Sequence, residues 1–312
     1  MNAAMPNAKT FLAACLLALF SAFFPALFGA QAACELQTKQ VAVSHGKIVY
    51  SQTVPAATDA APVVLLHGLF ASKEQWQTLM CELAGQGFQV IAPDLPGYGA
   101  SVDFSSATDY RFAAQTRRLR EFLQSLPETA RRPQHTVALA GHSMGGAIAS
   151  RYARRYPESV ASLALFAPMG MSEGGGWSAE FRAALRSGKN PMIPLTIAEF
   201  EHELSLLLAH PPALPHTDKA LAVARYQADL PRYRQVWSVV TLDAPQTCQR
   251  HTMPTLVVWG EQERLLTVPT PKAITACLPN SQFLRLPDSG HLLQLDNPAG
   301  LAKGYGEFLL GK

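Results

Sequence analysis

Short apolar runs alternate with amphipathic stretches along most of the chain. Six runs read as strands, and most are apolar at every position, which is typical of strands buried on both faces. These runs are residues 63–67, 88–92, 136–140, 162–166, 255–259 and 281–286. Helical periodicity fills the intervals at 73–85, 109–126, 145–156 and 269–276. Strands that alternate with helices predict an α/β architecture, with a mostly parallel central sheet flanked by helices.

Two segments depart from this alternation. Residues 41–51 read as a β-hairpin with a polar turn at 44–47. Between about Gly170 and Thr247 no strand pattern is found, and a Gly-rich opening leads into several helical patterns. An insertion of that length in an α/β sheet is usually functional. The pattern therefore predicts a core of residues 33–170 and 248–312, with a helical cap at 171–247 over the carboxyl edge of the sheet.

The first 32 residues have the pattern of a secretory signal peptide. Lys9 is the single charged side chain before residue 35, residues 11–30 are apolar or small, and 30–32 read Ala-Gln-Ala. This predicts cleavage after Ala32 and export to the periplasm or the medium. The alternative is an uncleaved membrane anchor, because the apolar run is close to the ~20 residues that span a bilayer. Lipidation at Cys34 is a further alternative.

Composition narrows the function classes. The chain has 312 residues, of which 48% are apolar, so it can bury a sizeable core. The formal net charge of +3 argues against a nucleic-acid partner. Neither observation indicates the oligomeric state.

Loss of the signal peptide leaves four cysteines: Cys34, Cys81, Cys248 and Cys277. An even number in an exported chain permits disulfides. Cys248 lies just before the run at 255–259, and Cys277 lies near the end of the helix pattern that follows it. If that helix runs antiparallel to the strand, both cysteines reach the same edge of the sheet. A Cys248–Cys277 disulfide is therefore one hypothesis, and two free buried thiols are the other.

The strongest chemical signal is Gly141-His142-Ser143-Met144-Gly145, a G-x-S-x-G motif between a strand pattern and a helix pattern. In that context the serine occupies a tight turn, and the two glycines leave room where a Cβ would collide. The turn raises the hydroxyl above the sheet, and the first N–H groups of the helix favour an anion there. The motif predicts that Ser143 is a nucleophile.

A serine nucleophile needs a base and donors for the oxyanion. His291 follows the last strand, on a loop that can reach back over the carboxyl edge. Leu69 follows the first long parallel strand, so its backbone N–H and that of Met144 are the candidate oxyanion donors. The alternative for 67–70 is an ordinary βα turn, with His67 as a structural residue.

The order of these motifs resembles that of the α/β-hydrolases. LLHG (65–68), DLPGYGAS (94–101), GHSMGG (141–146), WGEQER (259–264) and SGH (289–291) follow one another along the chain. The similarity covers essentially everything after the signal peptide. It is closest to the monoacylglycerol-lipase-like hydrolases and to the exported bacterial lipases of family V. The resemblance implies ester hydrolysis by a Ser–His–acid triad under a helical cap, with no cofactor and no metal.

The same resemblance assigns the acid of the triad. The family usually carries an Asp in G-x-x-D on the loop after the strand at 255–259, and here that position is Glu263. Glu263 departs from the usual residue but carries the same charge one methylene further out. Glu261, Glu173 and Asp288 remain as alternatives.

The resulting hypothesis is an exported serine esterase or lipase that acts on acylglycerols or other small-molecule acyl esters, with contact to a lipid surface. A carbon–carbon bond hydrolase of the same fold, a cofactor-free peroxidase and a non-catalytic binding protein are the alternatives. The run LFASKEQW after the first HG argues against the carbon–carbon hydrolase, which usually has a Gly-rich run there. A binding protein would be expected to lack part of the triad.

Overall fold

The structure is a computed structural model, and it describes residues 34–54, 60–104, 106–130, 132–171, 176–243, 248 and 250–311. The predicted signal peptide at 1–32 lies outside the described residues, as does Glu173. No helix in these described ranges is long and apolar enough to cross a membrane.

Eight strands form one mostly parallel sheet in the order β1-β2-β4-β3-β5-β6-β7-β8. The hairpin of β1 and β2 is antiparallel and joins β4 in antiparallel register, whereas all other neighbours are parallel. The strands are β1 Leu36–Val43, β2 Gly46–Thr53, β3 Val63–Leu66, β4 Val90–Pro93, β5 Val137–His142, β6 Val160–Phe166, β7 Thr255–Gly260 and β8 Ser281–Leu286. The predicted α/β architecture, a mostly parallel central sheet flanked by helices, is confirmed.

Eleven α-helices are found in the described residues. They are α1 Gln77–Gly85, α2 Phe112–Ser125, α3 Pro127–Ala130, α4 Met144–Arg155, α5 Ala179–Arg186, α6 Ile197–Leu207, α7 His216–Ala228, α8 Leu230–Leu242, α9 Pro271–Cys277, α10 Leu293–Asp296 and α11 Pro298–Leu309. Short 3₁₀ helices at Lys73–Trp76, Ala107–Tyr110, Pro133–His135 and Pro157–Ser159 complete the set.

Most differences from the predicted elements lie at their ends. The helix predicted at 73–85 begins with a 3₁₀ turn and becomes α-helical only at Gln77. The sequence pattern predicted no helix after β8, and the structure has α11 there. Between β6 and β7 the described residues hold four helices, α5 to α8, and no strand beyond an isolated bridge from Trp177 to Leu266.

The inner strands are buried because helices cover both faces of the sheet. Every residue of β3, β4, β5 and β7 is buried. Among the largest fully buried side chains are Trp76, Trp259, Phe166 and Tyr305. This rigid layer fixes the carboxyl ends of β5, β7 and β8, from which the candidate site residues project.

Two disulfides join distant parts of the core. One links Cys248 to Cys277. The other links Cys34, just before β1, to Cys81 on α1. The second pairing was not predicted from the sequence, and it occupies the thiol on which the lipidation alternative depends.

Candidate active site

Ser143 occupies the sharp turn between β5 and α4. Its φ of 52° lies in a region that residues other than glycine rarely adopt, which marks local backbone strain. A Cβ on Gly141 would lie 2.2 Å from the carbonyl oxygen of Gly145, and one on Gly145 would lie 2.3 Å from that of Leu66. Only glycine fits at both positions, so these glycines allow the strained turn to form.

Three hydrogen bonds hold the backbone on either side of His291. The Gly290 N–H donates to Oδ2 of Asp296 at 2.8 Å. The His291 carbonyl lies 2.9 Å from Nε2 of His142. The Leu292 N–H donates to the Leu207 carbonyl at 3.0 Å. The partners lie on α10, on the elbow and on α6, so three separate elements fix this one loop.

The side chain of His291 meets the carboxylate of Glu263. Oε2 of Glu263 lies 2.8 Å from Nδ1 of His291, and the two side chains are 0% and 3% exposed. Oε1 of Glu263 accepts the N–H groups of Leu265 at 2.8 Å and Leu266 at 3.1 Å. In this contact the Glu263 oxygen is the acceptor and Nδ1 of His291 the donor, which leaves Nε2 as the acceptor nitrogen of a neutral imidazole.

The other acids considered as alternatives are placed differently. Glu261 is exposed. The Asp288 side chain is 77% exposed and lies 4.0 Å from Nε2 of His210. Glu173 is outside the described residues. Among the candidates that the structure describes, Glu263 is the acid that contacts His291.

The candidate oxyanion donors belong to two segments that pass close together. A Cβ on Gly68 would lie 3.4 Å from Cβ of Ser143, so the loop after β3 runs directly beside the nucleophile. Leu69 is the next residue of that loop. Met144 is the first residue of α4, where a backbone N–H has no acceptor within the helix.

His67 supports this loop and is buried, as expected for a structural residue. Its Nε2 accepts the N–H of Leu95 at 2.9 Å, and its Nδ1 donates to the carbonyl of Gly68 at 2.8 Å. Burial holds the pKa of His67 below its usual value, so the ring is neutral. It therefore orders the candidate oxyanion loop without contributing a charge.

A buried ion pair anchors the segment 94–101, and sequence patterns gave no sign of it. Asp94, whose side chain is 0% exposed, lies 2.9 Å from Nζ of Lys73. Its carboxylate also accepts the N–H groups of Lys73 at 2.7 Å and Ala100 at 2.8 Å. Lys73 in turn pairs with Glu74. The pair fixes the loop after β4 next to the loop that carries Leu69.

The inserted helix α6 contacts both loops of the Glu263–His291 pair. Nη1 of Arg264 donates to the Ser205 carbonyl at 3.1 Å. Oδ2 of Asp296, which holds Gly290, also accepts the N–H of Ala209 at 3.0 Å. Sequence reasoning missed Asp296, because nothing in the residue pattern indicates that one carboxylate bridges two loops.

A second buried acid lies within the inserted helices. Glu203 on α6 is 3% exposed and accepts a hydrogen bond from the Tyr226 hydroxyl at 3.0 Å. Burial raises the pKa of Glu203 to about 8. Tyr226 packs on Tyr233, whose ring lies 4.7 Å from that of Phe70, the neighbour of Leu69.

Ser143, His291 and Glu263 provide the candidate site with a hydroxyl, an imidazole and a carboxylate. Within the parts of the chain that the structure describes, no group of three or more His, Cys, Asp or Glu residues is arranged to hold a metal ion.

Comparison with known proteins identifies relatives that match most of the chain. A family model of the α/β hydrolase fold matches residues 61–298. Lipase 1 of Psychrobacter immobilis is 29% identical over 282 residues, which span 88% of this chain and 84% of that lipase. Monoacylglycerol lipase ABHD6 of Bos taurus is 26% identical over 264 residues, or 79% and 74% of the two chains. The crystal structure of a membrane phospholipase A superposes with a TM-score of 0.78 at 27% identity, covering 96% of this chain and 92% of that one.

Proposed function

The chain belongs to the α/β-hydrolase family, and from that premise we propose that Ser143, His291 and Glu263 form the triad of an exported acyl-ester hydrolase. Its relatives are named as lipases and monoacylglycerol lipases, which supports a carboxylic-ester hydrolase of the lipase and esterase type. The observation that carries the triad is the 2.8 Å contact between Glu263 and His291, on the loop that is hydrogen-bonded to the elbow residue His142.

In this mechanism the Ser143 hydroxyl attacks the carbonyl carbon of the ester while Nε2 of His291 takes its proton. Glu263 keeps the proton of the imidazole on Nδ1 and stabilises the imidazolium as it forms. The N–H groups of Leu69 and Met144 receive the oxyanion of the tetrahedral intermediate. His291 then returns the proton to the departing alcohol, and a water molecule hydrolyses the acyl-enzyme by the same steps.

Acylglycerols are the proposed substrates. Two arguments support them: relatives named as a lipase and a monoacylglycerol lipase, and the helices α5 to α8 between β6 and β7. These helices are proposed to form a cap at 171–247 that provides an apolar acyl pocket. Contact with a lipid surface follows from that substrate class.

Export is proposed on independent grounds. The signal-like pattern at 1–32 and the two disulfides both fit an oxidising compartment, because disulfides are rare where thiols are kept reduced.

The test measures labelling and turnover in the same samples. A fluorophosphonate probe is expected to label the wild-type protein at Ser143, and Ser143→Ala is expected to lose labelling and several orders of magnitude in kcat. Ser150→Ala is the matched control, because Ser150 is a buried serine on the same helix, away from the turn. Near-normal turnover in Ser143→Ala would refute the proposal.

Substrate class is tested with p-nitrophenyl esters of graded length and with monoacylglycerols. Medium-chain esters are expected to react faster than acetate. A steady fall of kcat/KM from acetate to octanoate would contradict an apolar acyl pocket and leave a short-chain esterase.

A further inference from the structure

His142, the residue before the nucleophile, makes a hydrogen bond across the site. Its Nε2 lies 2.9 Å from the main-chain carbonyl of His291, and the two rings are 4.7 Å apart between centroids. A carbonyl can only accept, so Nε2 of His142 carries the proton and donates it. The residue that sets the position of Ser143 thereby also holds the peptide of the proposed base.

The other edge of the His142 ring faces the candidate oxyanion loop. A Cβ on Gly68 would lie 2.9 Å from Nδ1 of His142, so the absence of a side chain at 68 is what gives the ring its place. Nδ1 is buried and has no hydrogen-bond partner among the described residues. His142 is 2% exposed, and the Trp76 ring lies beside its ring in an edge-to-face arrangement with centroids 6.4 Å apart. It is thus held between the elbow, the base loop and the loop that carries Leu69.

A buried polar side chain is costly unless its position is needed for a contact that repays the desolvation. An apolar residue could fill this volume without leaving an unpaired nitrogen. The one hydrogen bond that the His142 ring makes goes to His291, and its acceptor is the main-chain carbonyl of the proposed base itself.

We propose that His142 is a positioning residue for the reaction, which through its Nε2–H fixes the main chain of His291 so that the base stays aligned with Ser143. This inference rests on the proposed role of His291. It gives the residue before the serine in this chain a role beyond filling the turn, because His142 donates a hydrogen bond across the site.

The ring must also stay neutral for this role to be compatible with catalysis. An imidazolium forms at His291 during the reaction, and a second positive charge 4.7 Å away would oppose it. Burial, followed by the neighbouring His291, holds the pKa of His142 well below its usual value. The environment therefore supplies the neutral donor that the contact needs.

The test compares His142→Gln, His142→Asn and His142→Leu in the full chain. The Gln amide has nearly the reach of Nε2 and can donate, the Asn amide falls short of the His291 carbonyl, and Leu cannot donate. We expect kcat on a soluble p-nitrophenyl ester to fall by about 10- to 100-fold in the Leu and Asn variants, the scale of a misplaced catalytic group. KM should change little, and the Gln variant should recover most of the lost kcat.

His251→Leu is the matched control. His251 is also a buried histidine, and it shares a hydrogen bond between its Nε2 and Oγ of Ser150, 3.1 Å apart. Among the described residues, no hydrogen bond or ring contact joins it to His291. Its replacement is expected to lower Tm and leave kcat near the wild-type value. If His142→Leu does not fold, the comparison of Gln with Asn still decides the question.

Three results would overturn the inference. They are a His142→Leu or His142→Asn variant with kcat within threefold of wild type, a Gln variant as impaired as the Asn variant, and a His251→Leu variant with the same loss of kcat. His291→Ala distinguishes a failure of the proposed function from a failure of the proposed role of His142. If that variant stays active, the proposed function fails. If it is inactive while His142→Leu and His142→Asn are unimpaired, only the role of His142 is lost.

Discussion

Glu263 holds His291 with one carboxylate oxygen, while two consecutive backbone N–H groups hold the other. The longer acid therefore has no freedom to turn away from the imidazole. The resemblance implies an Asp at this position, and the turn at 263–266 accommodates the longer Glu side chain here.

The first prediction concerns this contact. Glu263→Gln should lower kcat by orders of magnitude, because an amide cannot stabilise the imidazolium; the analogous Asp→Asn change in the triad of a serine protease lowers kcat by about 10⁴-fold. Glu263→Asp should keep partial activity on a loop adapted to the longer side chain. The measurement is kcat and KM of purified variants on one ester, and the loss should fall mainly on kcat.

Glu261→Gln is the control for this series, since Glu261 is two residues away and exposed. Its kcat and KM should stay close to the wild-type values. If kcat of Glu263→Gln stays within about tenfold of wild type, another residue is the acid of the triad. If Glu261→Gln loses kcat instead, Glu261 is that acid.

The second prediction is a pH dependence of stability that originates at Glu203. In the unfolded chain this carboxyl ionises near pH 4.5, whereas in the folded protein burial raises its pKa to about 8. The folded state therefore binds more protons between these values, and the free energy of unfolding should fall as the pH rises from about 4.5 to about 8. Glu203→Gln should remove this component, so that its Tm relative to wild type rises across the window. Thermal unfolding from pH 5 to pH 9 measures it.

Glu201→Gln, on the exposed side of the same helix, is the control and should track the wild type. If the plots of Tm against pH for Glu203→Gln and wild type run parallel, Glu203 is already ionised in the folded protein at low pH.

The third prediction concerns the Lys73–Asp94 pair. Asp94→Ala removes the acceptor of two backbone N–H groups, those of Lys73 and Ala100, and one partner of the buried Lys73 ammonium. Breaking such a pair costs about 3–5 kcal/mol. Glu74 still contacts Lys73, which favours the lower end of that range. Urea unfolding measures the loss. Glu158→Ala is the control, because its partner Arg120 is 4.0 Å away and the Glu158 side chain is 45% exposed, and it should cost less than about 1 kcal/mol.

The fourth prediction concerns the disulfides. Peptide mapping without reduction should recover Cys34 with Cys81 and Cys248 with Cys277. Replacing either pair by serine should lower the free energy of unfolding by about 2–5 kcal/mol. Four reactive thiols in the denatured, unreduced protein from an oxidising compartment would contradict both pairings, and a lipid-modified Cys34 would contradict the first.

The parts of the site that were predictable from sequence depend on local constraints. Positions 141 and 145 must be glycine because backbone atoms occupy the space that a Cβ at either position would need. This local requirement produces a five-residue motif that can be recognised in the sequence. The position of Glu263 came from resemblance to a family and could not have been obtained from spacing alone, since Glu261 is equally acidic.

The parts that were not predictable depend on tertiary contacts. Asp296 bridges Gly290 and Ala209, which are 81 residues apart (290 − 209), and neither pattern nor composition links them. Cys34 pairs with Cys81 because α1 packs beside the sheet near the start of β1, and no residue pattern in the sequence indicates that packing. Lys73 lies in a stretch whose polar residue pattern predicts exposure. Its side chain is nevertheless buried, because its partner Asp94 lies directly after another strand.

The attachment of α6 has a mechanical consequence. The carboxyl end of this helix is hydrogen-bonded at Leu207 to the loop of His291 and at Ser205 to the loop of Glu263. Just beyond the helix, the Ala209 N–H donates to Asp296, which also accepts the Gly290 N–H. Movement at that end would pull on the imidazole and on its acid together. The end of α6 and the two loops that carry His291 and Glu263 are therefore linked as one mechanical unit.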